Sequence, residues 1–196
     1  PNGRVRRRPD LGLEARAVSS NEQRPNPLLD SLRDAGILRQ KAARPVVGPR
    51  SYVRWWERVR AALESTTDAT GDALVFLPGK GEISRVATAL QGVDAEVLAL
   101  HGGLTLDQQR RVFHPGSRRR VVLSTNVAET SLTIPRIGLV IDSGLVRRTR
   151  YRNGRAHLTL LPIALDSADQ RAGRAGRLGP GIAVRLWRQD VRLDAR

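Results

Sequence analysis

The sequence predicts an α/β domain in which helices cover both faces of a parallel sheet. Short apolar segments such as Ala73–Leu77 and Arg120–Ser124 predict strands that are buried on both faces. Between them, Gly81–Gln91 carries apolar residues at helical spacing. An alternation of such strands and helices favours parallel pairing, because each helix carries the chain back across the sheet. The dipeptide Asn153-Gly154 adds a β-hairpin, since both residue types accept the positive φ of a tight turn.

The chain divides near residue 50. Residues 1–50 are predicted to form an irregular N-terminal segment or linker. Residues 1–26 are rich in arginine and proline without a clear period, and for them the eroded end of a preceding domain is the alternative. Within residues 1–50, Leu28–Leu38 predicts a short helix. Residues 51–196 are predicted to form the folded domain, which begins with an amphipathic helix over Tyr52–Glu64. The Trp55–Trp56 pair is interpreted as core, with an aromatic nucleic-acid platform as the alternative.

The remaining elements follow in order along the chain. A polar helix over Thr105–Val112 is expected to be capped by Thr105, whose hydroxyl accepts from the first backbone amides. A later helix over Ser167–Arg174 has Ser167 as its expected N-cap. The other predicted strands are Glu96–Leu100, Leu139–Ile141, Arg148–Tyr151, His157–Leu160 and Ile182–Trp187.

Composition and charge point to a polyanionic partner. The 196 residues carry a formal net charge of +15, and such an excess favours binding to nucleic acid. The chain has no cysteine and its histidines are scattered, so no disulfide framework and no metal site are predicted. No apolar run approaches about 20 residues and no secretory signal is visible, which predicts a cytoplasmic protein without a membrane partner. Because the chain begins at Pro1 and lacks methionine, we expect a fragment or a processed product.

The most informative stretch runs from Asp169 to Arg177. On a helix, a spacing of three places Arg171, Arg174 and Arg177 along one face, about one turn apart. The run also contains two glycines, which cost a helix about 1 kcal/mol each relative to alanine. A helix that keeps them lets a ligand approach its backbone, and guanidinium groups on such a face suit a polyphosphate. A solvated basic face is the alternative.

Several motifs carry a resemblance to a known family. The pattern Gln-Arg-x-Gly-Arg-x-Gly-Arg over Gln170–Arg177 resembles motif VI of superfamily 2 helicases. Val121–Ile134 resembles motif V of the DEAH-box RNA helicases nearly letter for letter, and Val140–Gly144 is similar to the strand and turn that follow it. Arg174–Gly181 is similar to the bacterial HrpB-type branch. The resemblance covers residues 71–187 and implies a RecA-like α/β fold: a parallel sheet with helices on both faces, plus a β-hairpin insertion.

The chain lacks half of the nucleotide machinery that this family uses. The sequence contains no Gly-x-x-x-x-Gly-Lys-Ser/Thr loop and no acidic pair after a strand. The resemblance therefore implies the second RecA-like (helicase C-terminal) domain of an ATP-dependent RNA helicase, inactive in NTP hydrolysis on its own. ATP and Mg2+ would be bound mainly by a P-loop RecA-like domain in the same gene or complex, and single-stranded RNA is the expected nucleic acid. A non-catalytic nucleic-acid-binding module and a DNA-directed superfamily 2 helicase fragment are the alternatives.

The resemblance assigns three catalytic residues. Arg174 and Arg177 match the finger arginines that stabilise the leaving γ-phosphate. Gln170 matches the glutamine that contacts the γ-phosphate or the attacking water. Arg171 is expected to be structural and to pair with an acidic neighbour.

Three further residues are assigned to the cofactor. Phe113 matches an aromatic residue that stacks on adenine, which reads a flat ring without a base-specific hydrogen bond; core packing is the alternative. Motif V senses nucleotide in the family, and this assigns Glu129 and Thr130. Glu129 is expected to order its loop internally, since a carboxylate that faced RNA would repel it.

The resemblance also assigns a nucleic-acid surface. Glycines and small polar residues that follow strands can offer amides and hydroxyls to phosphate oxygens. In motif IV the family commonly has threonine where Pro78 stands, which leaves the Gly79 N–H as the candidate contact. Alternate arginines share one face of the hairpin, where the family places a ribbon beside the RNA; a charged edge that blocks aggregation is the alternative. The predicted nucleic-acid-binding residues are Gly79, Gly102, Gly103, Thr125, Asn126, Thr133, Arg148, Arg150 and Arg152.

Overall fold

The computed structural model describes residues 38–42, 55–130, 133–175, 177 and 179–187. Within this part, the helices are α1 Trp55–Ser65, α2 Lys80–Ala89, α3 Leu106–Phe113, α4 Val127–Thr130 and α5 Leu165–Ala172. The strands are β1 Leu38–Ala42, β2 Asp72–Phe76, β3 Glu96–Leu100, β4 Arg120–Ser124, β5 Ile137–Asp142, β6 Leu145–Arg152, β7 Arg155–Pro162 and β8 Gly181–Arg185. The predicted alternation of strands and helices is confirmed, with several ends displaced by a few residues.

Six strands form one sheet in the order β1-β8-β5-β2-β4-β3. Each pairing within it is parallel, as the alternation predicts. Strands β2, β4 and β5 lie in the interior of the sheet, and every residue in them is buried. Parallel strands bring their carboxyl ends to one edge, where ligands of such sheets bind. This carboxyl edge carries the loops that contain five of the predicted site residues: Gly79, Gly102, Gly103, Thr125 and Asn126.

Helices cover both faces of the sheet and create two apolar cores. On one face, Val75 of β2 packs with Val59 of α1 and Val86 of α2. On the other face, Leu74 of the same strand packs with Val112 of α3, and residues of α4 and α5 join this second core. Successive side chains of a strand point to opposite faces, so one buried strand supplies both cores. Among the helices in the described ranges, none is both long enough and apolar enough to span a membrane.

Strands β6 and β7 form a separate antiparallel hairpin. Asn153 and Gly154 make its turn with φ values of 52° and 71°, which the type I′ geometry requires. At its base, the Ile163 N–H donates to the Gly144 carbonyl at 3.0 Å. A small apolar cluster of Val146 and its neighbours joins this base to α5. The predicted hairpin is confirmed as an arm that projects from the sheet.

Strand β1 corrects the predicted domain division. Leu38–Ala42 lies within residues 1–50, which the sequence predicts to be irregular, yet it forms an edge strand that pairs along β8. The sequence Leu-Arg-Gln-Lys-Ala has neither an apolar run nor strict alternation, so the prediction was wrong for these residues. Pairing with a buried neighbour supplies the order that local sequence does not indicate. The predicted helix over Leu28–Leu38 lies outside the described residues, apart from its last position.

The start of α5 also differs from the prediction. Ser167 is not the N-cap, because Ala164 occupies that position without a side-chain hydrogen bond. Ser167 is buried within the first turn, and its N–H donates to Asp166 Oδ1 at 2.8 Å. Thr105, in contrast, caps α3 as predicted and forms a capping box with Gln108. Both residues have a glutamine three positions on, Gln108 and Gln170, so the capping-box pattern alone does not locate the start of a helix.

Candidate functional site

The loops at the carboxyl edge bring five of the nine predicted nucleic-acid residues to one side of the sheet. Gly79 follows β2, Gly102 and Gly103 follow β3, and Thr125 and Asn126 follow β4. Backbone hydrogen bonds extend the sheet into these loops: the Thr125 N–H donates to the last carbonyl of β3 at 3.1 Å. The loops are therefore fixed by the rigid sheet beneath them.

Arg171 of α5 forms the buried centre of this edge. Its guanidinium contacts two carboxylates and is almost fully buried. Nη1 donates to Asp142 Oδ1 at 2.9 Å, while Nε and Nη2 both donate to Glu129 Oε2 at 3.1 Å. The guanidinium carbon also lies 4.8 Å from the centre of the Phe76 ring. The expected pairing of Arg171 with an acidic neighbour is confirmed, and Glu129 orders its loop through this contact.

Asp142, at the end of β5, is the buried anion of this network. Its Oδ1 accepts from Arg171 and also from the Gly144 N–H at 2.9 Å. Its Oδ2 is buried and has no hydrogen-bond partner among the described residues. Burial raises the pKa of Asp142, and the charge of Arg171 opposes that rise without cancelling it. The ionised state of this carboxyl group therefore depends on Arg171.

Arg174 and Arg177, the predicted finger arginines, both contact motif V. Arg174 is buried, and its Nη2 donates to the backbone carbonyl of Glu129. Burial lowers the pKa of Arg174, the charge of Arg177 lowers it further, and Glu129 opposes both effects. Arg177 is exposed, and its Nη1 donates to Thr133 Oγ1 at 2.9 Å. Motif VI thus contacts motif V through two of its arginines.

A cavity of about 250 Å³ lies between α4, α5 and the base of the hairpin. Gln170 lines it from α5, Asn126 from the loop before α4, and Arg148 from β6. These three residues are exposed, so a ligand can reach their polar groups. Glu129 and Asp166 line the same cavity and give it mixed charge. A residue predicted to face the nucleotide therefore shares one cavity with two residues predicted to face nucleic acid.

The two glycines after β3 differ in their surroundings. A Cβ on Gly103 would lie 2.0 Å from the Lys80 Nζ, so the ammonium group occupies the space above this glycine. A Cβ on Gly102 would meet no described atom within 4 Å, which leaves its backbone open to a ligand. Burial lowers the pKa of His101 in the same loop, and the charge of Lys80 lowers it further. An ammonium group beside an accessible backbone suits a phosphate group.

Gly79 is enclosed by side chains. It is the N-cap of α2 and has an extended backbone with φ −171° and ψ 175°, which any residue can adopt. A Cβ at this position would lie 3.0 Å from Arg147 Nε and 3.0 Å from Glu82 Oε2. A larger residue here would therefore make the Arg147 and Glu82 side chains shift. The contact between the Gly79 N–H and a phosphate stays a prediction.

Phe113 is not among the described residues that line the cavity. Phe113 ends α3 and is half-buried against the second core, so part of its ring serves the core and stacking on adenine stays a prediction. Thr130 ends α4, and its side chain lies outside the described part. Arg150 and Arg152 are exposed along the outer half of β6. The predicted site is thus a connected edge with an arm, and the cavity forms only part of it.

Sequence reasoning assigned no role to several charged residues at this edge. Asp142 had a usable signal, because a carboxylate that ends a continuously apolar strand lies at the carboxyl edge. Arg147 and Glu82 form an ion pair at 2.8 Å although they are 65 residues apart. No local pattern could have indicated that pair. Lys80 and Asp166 were also missed, since each lies beside a motif and outside its pattern.

Comparison with known proteins places this chain among helicase C-terminal domains. Residues 56–179 match the family described as the helicase conserved C-terminal domain. The chain belongs to this family. Arg171 of α5 and Arg174, which follows the end of that helix, both donate to Glu129 of the motif V loop.

Its relatives include DEAH-box enzymes from bacteria. The chain is 45% identical over 132 residues to the ATP-dependent RNA helicase HrpA of Escherichia coli, which covers 65% of this chain and 10% of that protein. It is 44% identical over 133 residues to the ATP-dependent RNA helicase HrpB of Escherichia coli, which covers 64% of this chain and 16% of that protein. The chain therefore spans only a small part of these relatives.

A solved structure confirms the fold. The crystal structure described as the E. coli DExH-box NTPase HrpB matches with a TM-score of 0.69 and 37% sequence identity, over 81% of this chain and 20% of that one. The RecA-like α/β fold and the predicted resemblance to HrpB-type DEAH-box helicases are confirmed.

Proposed function

We propose that the chain acts as the second RecA-like domain of an ATP-dependent RNA helicase. In this role it grips the backbone of single-stranded RNA and presents arginines to ATP bound on a P-loop domain. The shared cavity supports the proposal, because Gln170 on the nucleotide side and Asn126 and Arg148 on the nucleic-acid side line one space. A change at one ligand can therefore reach the other through a single layer of side chains. We place the enzyme in the cytoplasm, as the sequence predicts.

The chemistry divides between two domains. ATP brings a phosphoryl group whose transfer needs charge stabilisation and little covalent assistance from protein. Arg174 and Arg177 would supply guanidinium groups to the γ-phosphate, and Gln170 would orient the attacking water. Mg2+ would be held elsewhere, since the described residues contain no group of three histidine or acidic side chains that could bind a metal ion. The chain alone should therefore show no ATP turnover above background.

The arginine role is tested in a protein that joins this chain to a P-loop RecA-like domain. Arg177→Ala should lower ATP turnover by about 10³-fold or more and leave ATP affinity nearly unchanged, because a finger arginine acts on charge that develops in the transition state. Arg177→Lys should restore little, since an ammonium group cannot reproduce the planar fork. Arg118→Ala, at an exposed surface pair, is the matched control. Full turnover by Arg177→Ala would remove the finger assignment.

The nucleic-acid role is tested on the chain itself with a labelled single-stranded RNA. Replacement of Arg148, Arg150 and Arg152 by glutamine should weaken binding. It should also flatten the salt dependence by about 0.7 in log–log slope for each phosphate contact that is lost. The matched control replaces three other exposed arginines, Arg110, Arg111 and Arg118.

An equal loss in both triple variants would mean that general charge, and not the hairpin, binds RNA. Equal affinity for the DNA strand of the same sequence would assign the RNA preference to another part of the enzyme.

A further inference from the structure

The hairpin is joined to the rest of the domain by few contacts. In the described part of the chain, strands β6 and β7 pair only with each other, and their base rests on a small apolar cluster with Trp187 and α5. Among the described residues, the pair of Arg147 with Glu82 is the one ion pair between the hairpin and the body. Each strand has eight residues and so extends roughly 26 Å. A small tilt at the base therefore moves the far end of the arm by several ångströms.

The ion pair lies on the second face of the hairpin. Alternation along β6 places Arg147 opposite the face that carries Arg148, Arg150 and Arg152. Its Nη2 donates to Glu82 Oε1 at 2.8 Å, and the side chains are 34% and 11% exposed. Such partial burial limits screening by water and salt. The pair therefore holds the hairpin through the opposite face and leaves the three arginines exposed.

The other end of the pair lies at the start of α2. Glu82 lies in the first turn of α2, directly after the N-cap Gly79. The backbone of Gly79 would accept any residue, but its missing Cβ leaves room for both Arg147 and Glu82. The Oε2 of Glu82 is buried and has no hydrogen-bond partner in the described ranges, so Arg147 is its main compensation. Gly79 and Glu82 thus meet Arg147 from a distant segment of the chain, and we call this contact the joint.

We propose that Arg147 and Glu82 are positioning residues that set the angle between the hairpin and the start of α2. The joint would keep the outward arginines of β6 and the loop at Gly79 aligned along one nucleic-acid strand. This inference rests on the proposed function of the hairpin. It predicts that loss of the hydrogen bond from Arg147 to residue 82 weakens RNA binding even where the net positive charge of the chain increases.

Glu82→Ala makes the test sharp, because it removes a negative charge near RNA. A charge effect alone would tighten RNA binding, whereas loss of the joint should weaken it severalfold. Glu82→Gln should bind like the parent, since its amide oxygen still accepts from Arg147. Asp94→Ala is the matched control, as it removes a carboxylate from an exposed pair with Arg118 and should bind slightly tighter. Binding by Glu82→Ala that equals or exceeds that of Asp94→Ala would overturn the inference.

A distance measurement separates the joint from RNA binding. The chain has no cysteine, so a nitroxide reagent labels only cysteines that are introduced. Ser84→Cys on α2 and Tyr151→Cys on β6 provide two such sites, both at exposed positions. Pulsed electron paramagnetic resonance should give one narrow distance distribution in the parent and a broader or displaced one in Glu82→Ala and Arg147→Gln. Melting temperatures check that each variant folds. Unchanged distances in both variants would overturn the inference, as would changed distances with parental RNA affinity.

Failure of the proposed function has a different signature. In that case the triple replacement of Arg148, Arg150 and Arg152 keeps full RNA affinity. The distance distributions would still report whether the ion pair sets the angle of the arm.

Discussion

Two buried arginines occupy opposite ends of the same sheet, and they serve it differently. Arg120 begins β4 at the amino edge and pairs with Asp72, the first residue of β2. Arg171 lies at the carboxyl edge and pairs with Asp142 and Glu129. All three guanidinium nitrogens of Arg120 donate hydrogen bonds within the domain. Arg171 and Glu129 at the carboxyl edge instead line a cavity.

The amino-edge network is closed. Nε and Nη2 of Arg120 donate to Asp72 Oδ2 at 2.9 and 2.6 Å, and its backbone N–H donates to Oδ1 at 2.9 Å. Nη1 donates to the carbonyls of Val112 and His114 at 3.1 and 2.7 Å. Both side chains are within 1% of full burial. A network in which every group is paired fixes structure.

The carboxyl-edge network is open. One oxygen of Asp142 has no hydrogen-bond partner among the described residues, and Glu129 and Arg171 line the cavity. An arginine–aspartate pair is therefore fully hydrogen-bonded at the amino edge and incompletely hydrogen-bonded at the carboxyl edge. This difference teaches that buried charge marks a functional site when its network is incomplete and reaches a cavity.

Arg120→Ala should cause the largest loss of stability, about 3–5 kcal/mol, because Asp72 would remain buried without a cation. Urea unfolding followed by circular dichroism measures this loss. Arg118→Ala, from a pair whose side chains are 63% and 98% exposed, should stay within about 0.5 kcal/mol of the parent. Equal losses in the two variants would remove the distinction between closed and exposed pairs.

Arg171→Ala should lower the free energy of unfolding by less than Arg120→Ala does, about 1–3 kcal/mol, because the cavity lets water reach part of the broken network. The loss should depend on pH. Removing Arg171 takes away the charge that holds down the already raised pKa of Asp142. A raised folded-state pKa contributes stability below the unfolded pKa of about 3.9, and that stability is lost as pH rises through the folded-state pKa.

The destabilisation by Arg171→Ala should therefore grow as the pH is raised from acid to neutral. Parallel urea titrations of the variant and the parent measure it. A destabilisation that stayed constant with pH would mean that Asp142 is not the group left behind.

Gln170→Ala should change the unfolding free energy by no more than about 0.5 kcal/mol, since this side chain is exposed and lines the cavity. It sharpens the comparison, because a residue of the open edge should serve ligands and not stability. Thermal melting of Gln170→Ala and Arg171→Ala, measured side by side, tests this expectation. A large loss would make Gln170 a structural residue.

Lys80→Gln should raise the pKa of His101 by a small amount. Burial, the larger cause of the lowered pKa, would persist, while the charge of Lys80 would be gone. A lowered folded-state pKa contributes stability above the unfolded pKa of about 6.5, and this is lost as pH falls through the folded-state pKa. Nuclear magnetic resonance titration of the imidazole measures the shift. No change would mean that the ammonium group does not stay above Gly103.

The sequence predicted the parts of the fold that depend on local pattern. Apolar runs identified the interior strands, and Asn153-Gly154 identified the hairpin turn. Strand β1 was missed because its order comes from pairing with β8, and Ser167 was misplaced because the helix starts without a side-chain cap. Local signals report propensity, whereas an edge strand depends on its neighbour.

The candidate site was predictable to the extent that it lies within linear motifs. The pairing of Arg171 was expected, although Asp142 as its partner was not. The ion pairs of Asp72 with Arg120 and of Glu82 with Arg147 join segments that are 48 and 65 residues apart. Complementary charges in such segments have many possible partners, and only the folded chain selects among them.

Trp187 gives the domain a built-in optical probe. Its indole lies against Gly144, where a Cβ would approach Cε3 to 2.5 Å, and the Arg185 guanidinium carbon lies 5.6 Å from the ring centre. The ring also packs on the apolar cluster at the root of the hairpin. Indole fluorescence responds to nearby charge and to contact with water. Replacing the other two tryptophans by phenylalanine would leave Trp187 as the one tryptophan, at the base of the hairpin. Movement of that arm could then be followed in real time without an added dye.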